Sequence, residues 1–328
     1  MTESDVKVLV LEIDAVWSEM SLKHASSTGE HCQMNVSRKQ KRVISLLTII
    51  LLACKCALRR SAYRQQEDQQ VCLLTTMWND LHRNVEHLRE IKHAIELNVR
   101  NPFINFVHVV LDGAERQEAC DKLHAEVHHA TGIHDKFNCV VHHGSQPTYL
   151  EMFQYSQSIR TQNCVVILAN ADMVFDATVR YAAKVNPDTI CTIATKGYGG
   201  ILKEETLELD EDHTNTSVLM PNRCYTNKEP RSSWDAYIFH PKSIRLQSRD
   251  WVDEHTFKQF SMNQLYAENS ALHALLTNSK KVRKAYQVCD FVNMWHYHFA
   301  PKTYNVTSKW VQHLGYIAGD CPNLKACF

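Results

Sequence analysis

The chain has no excess of charge of either sign. Among its 328 residues, 36 lysines and arginines balance 36 aspartates and glutamates. Proteins that hold DNA or RNA through its phosphates usually show a basic excess, so the balance argues against nucleic acid as the main partner. The 44% hydrophobic and 22% charged shares are those of an ordinary globular protein, and the length suits one large domain or two small ones.

Several signatures of common enzyme classes are missing. The sequence contains no GxxxxGK[ST], no GxSxG and no GxGxxG. P-loop nucleotide hydrolysis, serine hydrolysis and dinucleotide binding therefore have no support. Internal repeats and low-complexity tracts are missing as well.

The 12 cysteines include no CxxC pair. Cys54 and Cys56 are too close in sequence for a zinc-binding pair, and no second pair follows them. Cys321 and Cys327 could bridge each other in an oxidising compartment. The alternative is that most of the cysteines are buried free thiols.

The histidines in the middle of the chain do not form a zinc-protease motif. His124 and His128 lie four positions apart, but Glu126 stands one place later than HExxH requires. The mismatch favours a surface cluster. A metal-dependent hydrolase is an alternative that requires His124, His128 and one of His142 or His143 to converge.

One apolar run lies between two basic clusters, in RKQKRVISLLTIILLACKCALRR. It is shorter than the roughly 20 residues of a spanning helix, although Lys55 near one end can snorkel. It lies too far from Met1 for a cleaved signal peptide. We expect a signal-anchor helix at residues 43–58, which implies a single-pass type II membrane protein of the Golgi or ER. A buried helix in a soluble cytoplasmic protein is the alternative.

The rest of the chain divides by composition. Residues 1–42 are predicted to be a loosely structured head, residues 59–70 a linker or stem, and residues 311–328 a C-terminal tail. Between them, residues 71–310 alternate strand and helix patterns. The pattern predicts an α/β fold with a mainly parallel sheet flanked by helices, preceded by the apolar helix. Ligands of such sheets bind beyond the carboxyl ends of the strands.

A buried strand pattern, VVILA, ends abruptly in polar side chains. Asn170 and Asp172 lie two positions apart, and apolar residues then resume in MVF. Amide and carboxylate oxygens at a strand end can face a divalent cation that also holds a diphosphate. The alternative is a turn in which Asp172 accepts hydrogen bonds from backbone amides.

Two further stretches place candidate side chains among apolar residues. Asp235 follows Trp234 in an apolar patch, where burial would raise the pKa of the carboxyl and suit a general base. The alternative is an aspartate that caps a turn. His296 and His298 flank Tyr297, so a strand would put both imidazoles on one face, as in a transition-metal site. The alternative is that they are satisfied polar residues.

Four stretches, in chain order, resemble a family of glycosyltransferase-like proteins with a nucleotide-diphospho-sugar transferase domain of the GT-A type. They are VCLLTTMWNDLHRNVEHLREIKHAIELNVRNPFINFVHVVLDG, VVILANADMVFDATV, SSWDAYIFHP and VCDFVNMWHYHFAP. The second is similar to the family's counterpart of the DxD metal motif. The resemblance covers residues 71–310 and implies a GT-A-like fold.

The resemblance implies a role for each matched residue. Asp172, with Asn170, would hold Mn²⁺ or Mg²⁺ and the diphosphate of a nucleotide sugar. His296 or His298 would complete the metal or phosphate site. Asp235 would be the acceptor-side base or a contact of the donor sugar.

Other matched positions are less closely tied to the chemistry. Thr75, Trp234 and Asn263 would bind the nucleotide sugar, and Asp176 matches the family's second acid or caps the next helix. The sequence departs from the family where an acid should precede an asparagine at a helix start, because Met262 precedes Asn263. The metal motif also has asparagine in its first position.

We therefore expect a metal-dependent glycosyltransferase, of the hexosyltransferase type, that moves a sugar from a nucleotide-sugar donor to a hydroxyl of a glycan or other acceptor. The principal alternative is a non-catalytic GT-A-like protein that binds a glycan or a nucleotide, which the departure at Met262 favours. A membrane-tethered structural protein is a third alternative.

Overall fold

The computed structural model describes residues 69–79, 85–113, 116–144, 146–159, 163–193, 201–202, 234–244, 262, 267–278, 282, 284–297 and 319–320. All of them lie in the second of the two units into which the chain divides, Ala62–Phe328. The predicted head and signal-anchor helix lie outside the described residues.

Strands and helices alternate in the first half of this unit. They are β1 (Gln70–Asn79), α1 (Val85–Arg100), β2 (Phe106–Gly113), α2 (Arg116–Thr131), β3 (Phe137–Val141), α3 (Tyr149–Ile159) and β4 (Cys164–Ala169).

The elements that follow are mostly shorter. They are β5 (Met173–Phe175), a 3₁₀ helix (Ala177–Lys184), β6 (Thr189–Ile193), β7 (Ile201–Leu202), β8 (Ala236–Phe239), a second 3₁₀ helix (Pro241–Ser243), α4 (Ala267–Asn278), β9 (Lys284–Gln287), β10 (Met294–Tyr297) and β11 (Gly319–Asp320).

Eight of the described strands form one mixed sheet in the order β11-β9-β6-β8-β4-β1-β2-β3. Neighbouring strands are parallel except β8, which runs antiparallel to both β4 and β6. The prediction of an α/β fold with a mainly parallel sheet is confirmed, and the architecture is consistent with a GT-A-like fold. Within the predicted tail, Gly319–Asp320 pairs with β9 at the sheet edge.

Strand β4 shows why its sequence is a continuous apolar run. Every residue of CVVILA is buried. Val165 and Ile167 belong to one core cluster, whereas Val166 and Leu168 belong to the cluster on the other side. Successive side chains of a strand point to opposite faces, so a strand with packed layers on both faces needs apolar residues at every position.

A second sheet of three described strands, in the order β5-β10-β7, carries part of the site. Strand β10 runs antiparallel to β5 and parallel to β7. A small apolar cluster joins this sheet to α1, and its members are Ala94, Leu97, Val174, Trp295 and Tyr297. Helix α1 therefore contacts both sheets, because Ile91, Ile95 and Val99 pack in the main core.

The expectation of a single-pass type II membrane protein of the Golgi or ER is contradicted. In the part of the chain that the structure describes, no helix combines the length and apolar character needed to cross a bilayer. The long helices α1 and α2 have 16 residues each, and both carry charged side chains. Residues 43–58 are not among those described.

Most of the cysteines that the structure describes are in disulfides instead of being the free thiols that the sequence allowed. Cys72 is bonded to Cys164 across β1 and β4, and Cys120 is bonded to Cys139 between α2 and β3. Cys289 is disulfide-bonded as well. Among the described cysteines, Cys191 alone is not disulfide-bonded, and it is buried. The suggested Cys321–Cys327 pair lies outside the described residues, as do Cys54 and Cys56.

Removing the Cys72–Cys164 disulfide by alanine substitution of both residues is expected to cost about 4.6 kcal/mol of unfolding free energy, since the loop-closure entropy grows with loop length. The bridge spans 92 positions, against 19 for Cys120–Cys139, whose removal should cost about 3 kcal/mol. Guanidinium unfolding without reductant measures both losses, with Cys191→Ala as the control. A larger loss for the shorter loop would contradict this account.

Candidate functional site

The antiparallel strand β8 brings together Asn170 and Asp235, two candidate site residues that are distant in sequence. Because it runs against β4 and β6, its first residues lie at the edge where those two strands end. The backbone N–H of Asp235 donates to the carbonyl of Ile193 at 3.0 Å, and the Asp235 carbonyl accepts from the Asn170 N–H at 3.0 Å. Asn170 also donates from Nδ2 to Asp235 Oδ1 at 3.4 Å. Residues 65 positions apart thus meet at the carboxyl edge of the sheet.

The small sheet brings in the remaining partners. Antiparallel pairing of β10 with β5 sets His296 opposite Met173, and the Tyr297 N–H donates to the Asp172 carbonyl at 2.8 Å. His296 Nδ1 lies 3.1 Å from Asp172 Oδ2, and its Nε2 lies 3.5 Å from Asp235 Oδ1. We call Asp172, His296 and Asp235 the bridged-acid cluster. Their side chains are 13%, 24% and 7% exposed, respectively.

Charge pairing outweighs burial in this cluster. Burial lowers the pKa of His296, but the charge and hydrogen bond of Asp172, followed by those of Asp235, raise it to about 10. Burial raises the pKa of Asp172, yet the charge and hydrogen bond of His296 bring it below its ordinary value. At neutral pH the two therefore form an imidazolium–carboxylate ion pair.

The described part of the chain contains no group of three or more His, Cys, Asp or Glu side chains arranged to hold a metal ion. Mg²⁺ and similar hard cations are often held by one or two carboxylates, with substrate phosphates and water completing the shell. The Asp172 carboxylate, with Asn170 beside it, fits such a partial site. His296 fits less well as a ligand, because a protonated imidazole has no free lone pair.

The other predicted residues lie around this edge or outside the described part of the chain. Thr75 follows Leu74, which pairs with Leu168 near the end of β4, and β1 continues beyond it to Asn79. Thr75 Oγ1 and Trp234 Nε1 are buried and have no hydrogen-bond partner among the described residues. Asn263 and His298 lie outside the described residues.

Asp176 has the capping role that was one of its two expected roles. Its Oδ1 accepts from the Thr178 N–H at 2.8 Å at the start of the 3₁₀ helix, and its Oδ2 accepts from Asn293 Nδ2 at 2.8 Å. Both carboxylate oxygens are therefore engaged away from the bridged-acid cluster.

Sequence reasoning missed a buried acid, Glu268, in the first turn of α4. Burial and the charge of Asp235 raise its pKa to about 8. The Tyr237 hydroxyl, two positions after Asp235, donates to the Glu268 carbonyl at 2.5 Å. The sequence contains a signal for it, because Glu268 precedes Asn269 at a helix start, whereas that acid was expected at the position of Met262.

A second missed acid, Asp112, lies at the carboxyl end of β2. It is buried, and its Oδ1 has no hydrogen-bond partner among the described residues. Burial raises the pKa of Asp112, although His142 and Arg116 lower it in part. Arg116 donates to the Gly144 carbonyl at 2.8 Å and so ties the next loop to this edge. Like Asp172, Asp112 follows a run of mostly apolar residues at the end of a strand.

The histidine cluster does not form the site that the hydrolase alternative requires. The rings of His128 and His134 are in contact, with centroids 3.2 Å apart and planes tilted by 34°, and the ring of His124 lies 5.6 Å from that of Phe137. In the described ranges these imidazoles are not part of any three-ligand group. The hydrolase alternative therefore loses its structural basis.

No protein-family model matches the chain, and no curated protein matches it in sequence. Solved structures do match. One is the inositol-1-phosphate CTP transferase from T. maritima, at 9% identity and a TM-score of 0.41, with 69% of this chain and 89% of that chain covered.

Two further structures are a mannosyltransferase and a xylosyltransferase. The mannosyltransferase from Pyrobaculum calidifontis, in complex with GDP-Man and Mn²⁺, shows 10% identity, a TM-score of 0.36, and 72% and 64% coverage of this chain and that chain. Mouse xyloside xylosyltransferase 1 shows 11% identity, a TM-score of 0.30, and 65% and 83% coverage. All three are transferases by name, but likenesses this weak do not transfer a function.

Glu268→Gln is expected to remove a pH-dependent loss of stability. A carboxyl whose pKa rises from 4.5 to about 8 on folding stabilises the fold while it is protonated. That contribution to stability is complete below the unfolded-state pKa of 4.5 and is lost as the pH rises through the folded-state pKa of about 8. Between these two pKa values the unfolding free energy of the wild type should fall by up to about 1.4 kcal/mol per pH unit relative to that of the variant.

Urea unfolding at a series of pH values measures this difference. Glu118→Gln is the matched control, because Glu118 is an exposed acid in the first turn of α2. Parallel pH profiles for the wild type and Glu268→Gln would show that Glu268 does not take up a proton on folding.

Proposed function

We propose that the chain is a glycosyltransferase that moves a sugar from a nucleotide-sugar donor to a hydroxyl acceptor. The observation that carries the proposal is the meeting of Asn170, Asp172, Asp235 and His296 at the carboxyl edge of the sheet. Three separate segments supply these side chains, and parallel α/β sheets bind ligands at this edge.

The donor side of the site is built around Asp172. Asp172 and Asn170 would hold a Mn²⁺ or Mg²⁺ ion together with the diphosphate. When bound, such a cation neutralises the charge that develops on the leaving diphosphate. His296 donates to Asp172 and keeps its carboxylate ionised and oriented. The predicted role of His296 as a direct ligand would require the loss of its proton.

The acceptor side is assigned to Asp235. Its carboxylate would take the hydroxyl proton while the acceptor oxygen bonds to the anomeric carbon and the bond to the diphosphate breaks. Glu268, whose pKa burial and the charge of Asp235 raise to about 8, holds a proton at neutral pH. Neighbouring carboxyls in different environments can in this way divide the base and acid roles.

Unpartnered polar atoms suggest where the rest of the donor would lie. Thr75 Oγ1 and Asp112 Oδ1 are buried and without partners in the described part of the chain. A buried oxygen left without a hydrogen bond costs free energy, which a nucleoside N–H or O–H would recover. Trp234 Nε1 is a buried donor that a sugar hydroxyl could accept from.

One observation favours the non-catalytic alternative. The bridged-acid cluster satisfies its own charges, since His296 faces a carboxylate from each of its ring nitrogens. Such a paired network can persist for structural reasons. The same fold would then bind a glycan or nucleotide without transfer.

Calorimetry with UDP and GDP, with and without Mn²⁺, tests the donor side. We expect the full-length protein to bind one of them in a Mn²⁺-dependent way. Asp172→Ala should weaken that binding by about 10- to 100-fold, the usual loss for a hydrogen bond to a charged group. Asp121→Ala, which changes an exposed acid on α2, is the control. A folded protein that binds neither nucleotide would rule out donors of those classes.

Asp235→Asn separates binding from chemistry. The amide keeps the size of the side chain but cannot accept the acceptor proton, so binding of the Mn²⁺–nucleotide should stay within about threefold. Release of nucleoside diphosphate from nucleotide sugars, with a panel of glycan acceptors, should fall by about 10²- to 10⁴-fold. Equal losses in binding and release would count against Asp235 as the base. Binding without any release by the wild type would favour the non-catalytic alternative.

A further inference from the structure

Two asparagines at the end of α1 hold strand β5 by its backbone. Asn98 donates from Nδ2 to the Met173 carbonyl at 2.7 Å, and its Oδ1 accepts from the Phe175 N–H at 3.2 Å. Asn101 donates to the carbonyls of Phe175 and Asp176 at 2.9 and 3.2 Å. Both side chains are buried. We call Asn98 and Asn101 the amide clamp.

The clamp acts on a strand that is too short to define its own place. Strand β5 has three residues and lies at the edge of the small sheet, where β10 is its one neighbour among the described strands. Apolar packing of Ala94 and Leu97 against Val174 also brings α1 to this strand. Such packing resists separation, but it is non-directional and does not by itself fix the position of β5 along its own axis.

The amide of Asn98 does fix that position. It bonds to residues 173 and 175 of one strand, once as donor and once as acceptor, so a shift of one residue would break both bonds. A one-residue shift would also turn every side chain to the opposite face. At the far end, Asn293 donates to Asp176 and ties the loop before β10 to the end of β5.

The position of β5 decides the geometry of the bridged-acid cluster. Asp172 immediately precedes the strand, and its carbonyl accepts from the Tyr297 N–H of β10. His296 lies opposite Met173, whose carbonyl Asn98 holds. The 3.1 Å contact between Asp172 and His296 therefore depends on the same short segment.

We propose that Asn98 and Asn101 are positioning residues that set Asp172 against His296 and so define the donor side of the site. The geometric part of this proposal stands on the hydrogen bonds alone. Its effect on ligand binding rests on the proposed transferase function. A clamp of this kind deepens that function, because it makes the first βα unit responsible for the placement of the diphosphate-binding acid.

Asn98→Ala in the full-length protein tests the proposal, with Asn105→Ala as the matched control. Asn105 also ties the backbone with its side chain, since its Oδ1 accepts from the Val71 N–H at 2.8 Å, but it acts on β1 of the main sheet. Each variant is measured at the same margin below its melting midpoint. If Asn98→Ala does not fold, Asn98→Ser takes its place.

The first readout needs no ligand. It is the imidazole NMR resonance of His296 in histidine-labelled protein, assigned with a His296→Gln variant. We expect Asn98→Ala and Asn101→Ala to shift or broaden this resonance, and Asn105→Ala to leave it in place. A His296 resonance unchanged in both clamp variants would overturn the proposal, whatever their loss of stability.

The second readout is binding of Mn²⁺ with UDP or GDP. The clamp variants should bind about 10- to 100-fold more weakly, as expected for a displaced binding group, with the control within about twofold of the wild type. Equal weakening in Asn105→Ala would overturn the link to binding. If the His296 resonance moves as expected while the wild type binds neither nucleotide, the clamp stands and the proposed donor class fails.

Discussion

The imidazole of His296, held between Asp172 and Asp235, is the contact on which the site depends. The same side chain also links the two sheets, because His296 belongs to β10 of the small sheet and Asp235 precedes β8 of the main sheet. Two acids in a partly buried place repel each other and favour a cation between them. The protonated imidazole of His296 supplies that cation.

The surroundings show how such a charge group is kept at a sheet edge. Backbone hydrogen bonds from Asn170 and to Ile193 fix Asp235 at the edge, and the Tyr297 N–H fixes Asp172. Side-chain charges are then added to a backbone that is already in place, which lowers the entropy lost on pairing. Glu268 lies in a different environment, among buried aromatic residues, and its pKa is raised instead of lowered. The carboxyl pKa values of Asp172 and Glu268 are thus shifted in opposite directions.

Much of the fold and part of the site could be predicted from sequence, for identifiable reasons. Apolar runs such as CVVILA mark buried strands by themselves, and the polar break at Asn170 and Asp172 marks a strand end. The amide clamp could not be found this way, because Asn98 on a helix looks like an ordinary exposed position until β5 is seen beside it. The Cys72–Cys164 pairing needs the order of strands in the sheet, since 92 positions separate the two thiols. The pair Glu268–Asn269 marks a helix start in the sequence, but the burial that raises the pKa of Glu268 is a tertiary property.

The Cys72–Cys164 disulfide encloses the first three βα units within one covalent ring. A single cut of the chain between these cysteines would leave two fragments that the disulfide still holds together as one molecule. Asp112 and the amide clamp lie inside the ring, whereas Asp172, Asp235 and His296 lie beyond it. A form nicked between Asp112 and Cys164 would therefore keep both groups of residues in a single covalent body until the disulfides were reduced.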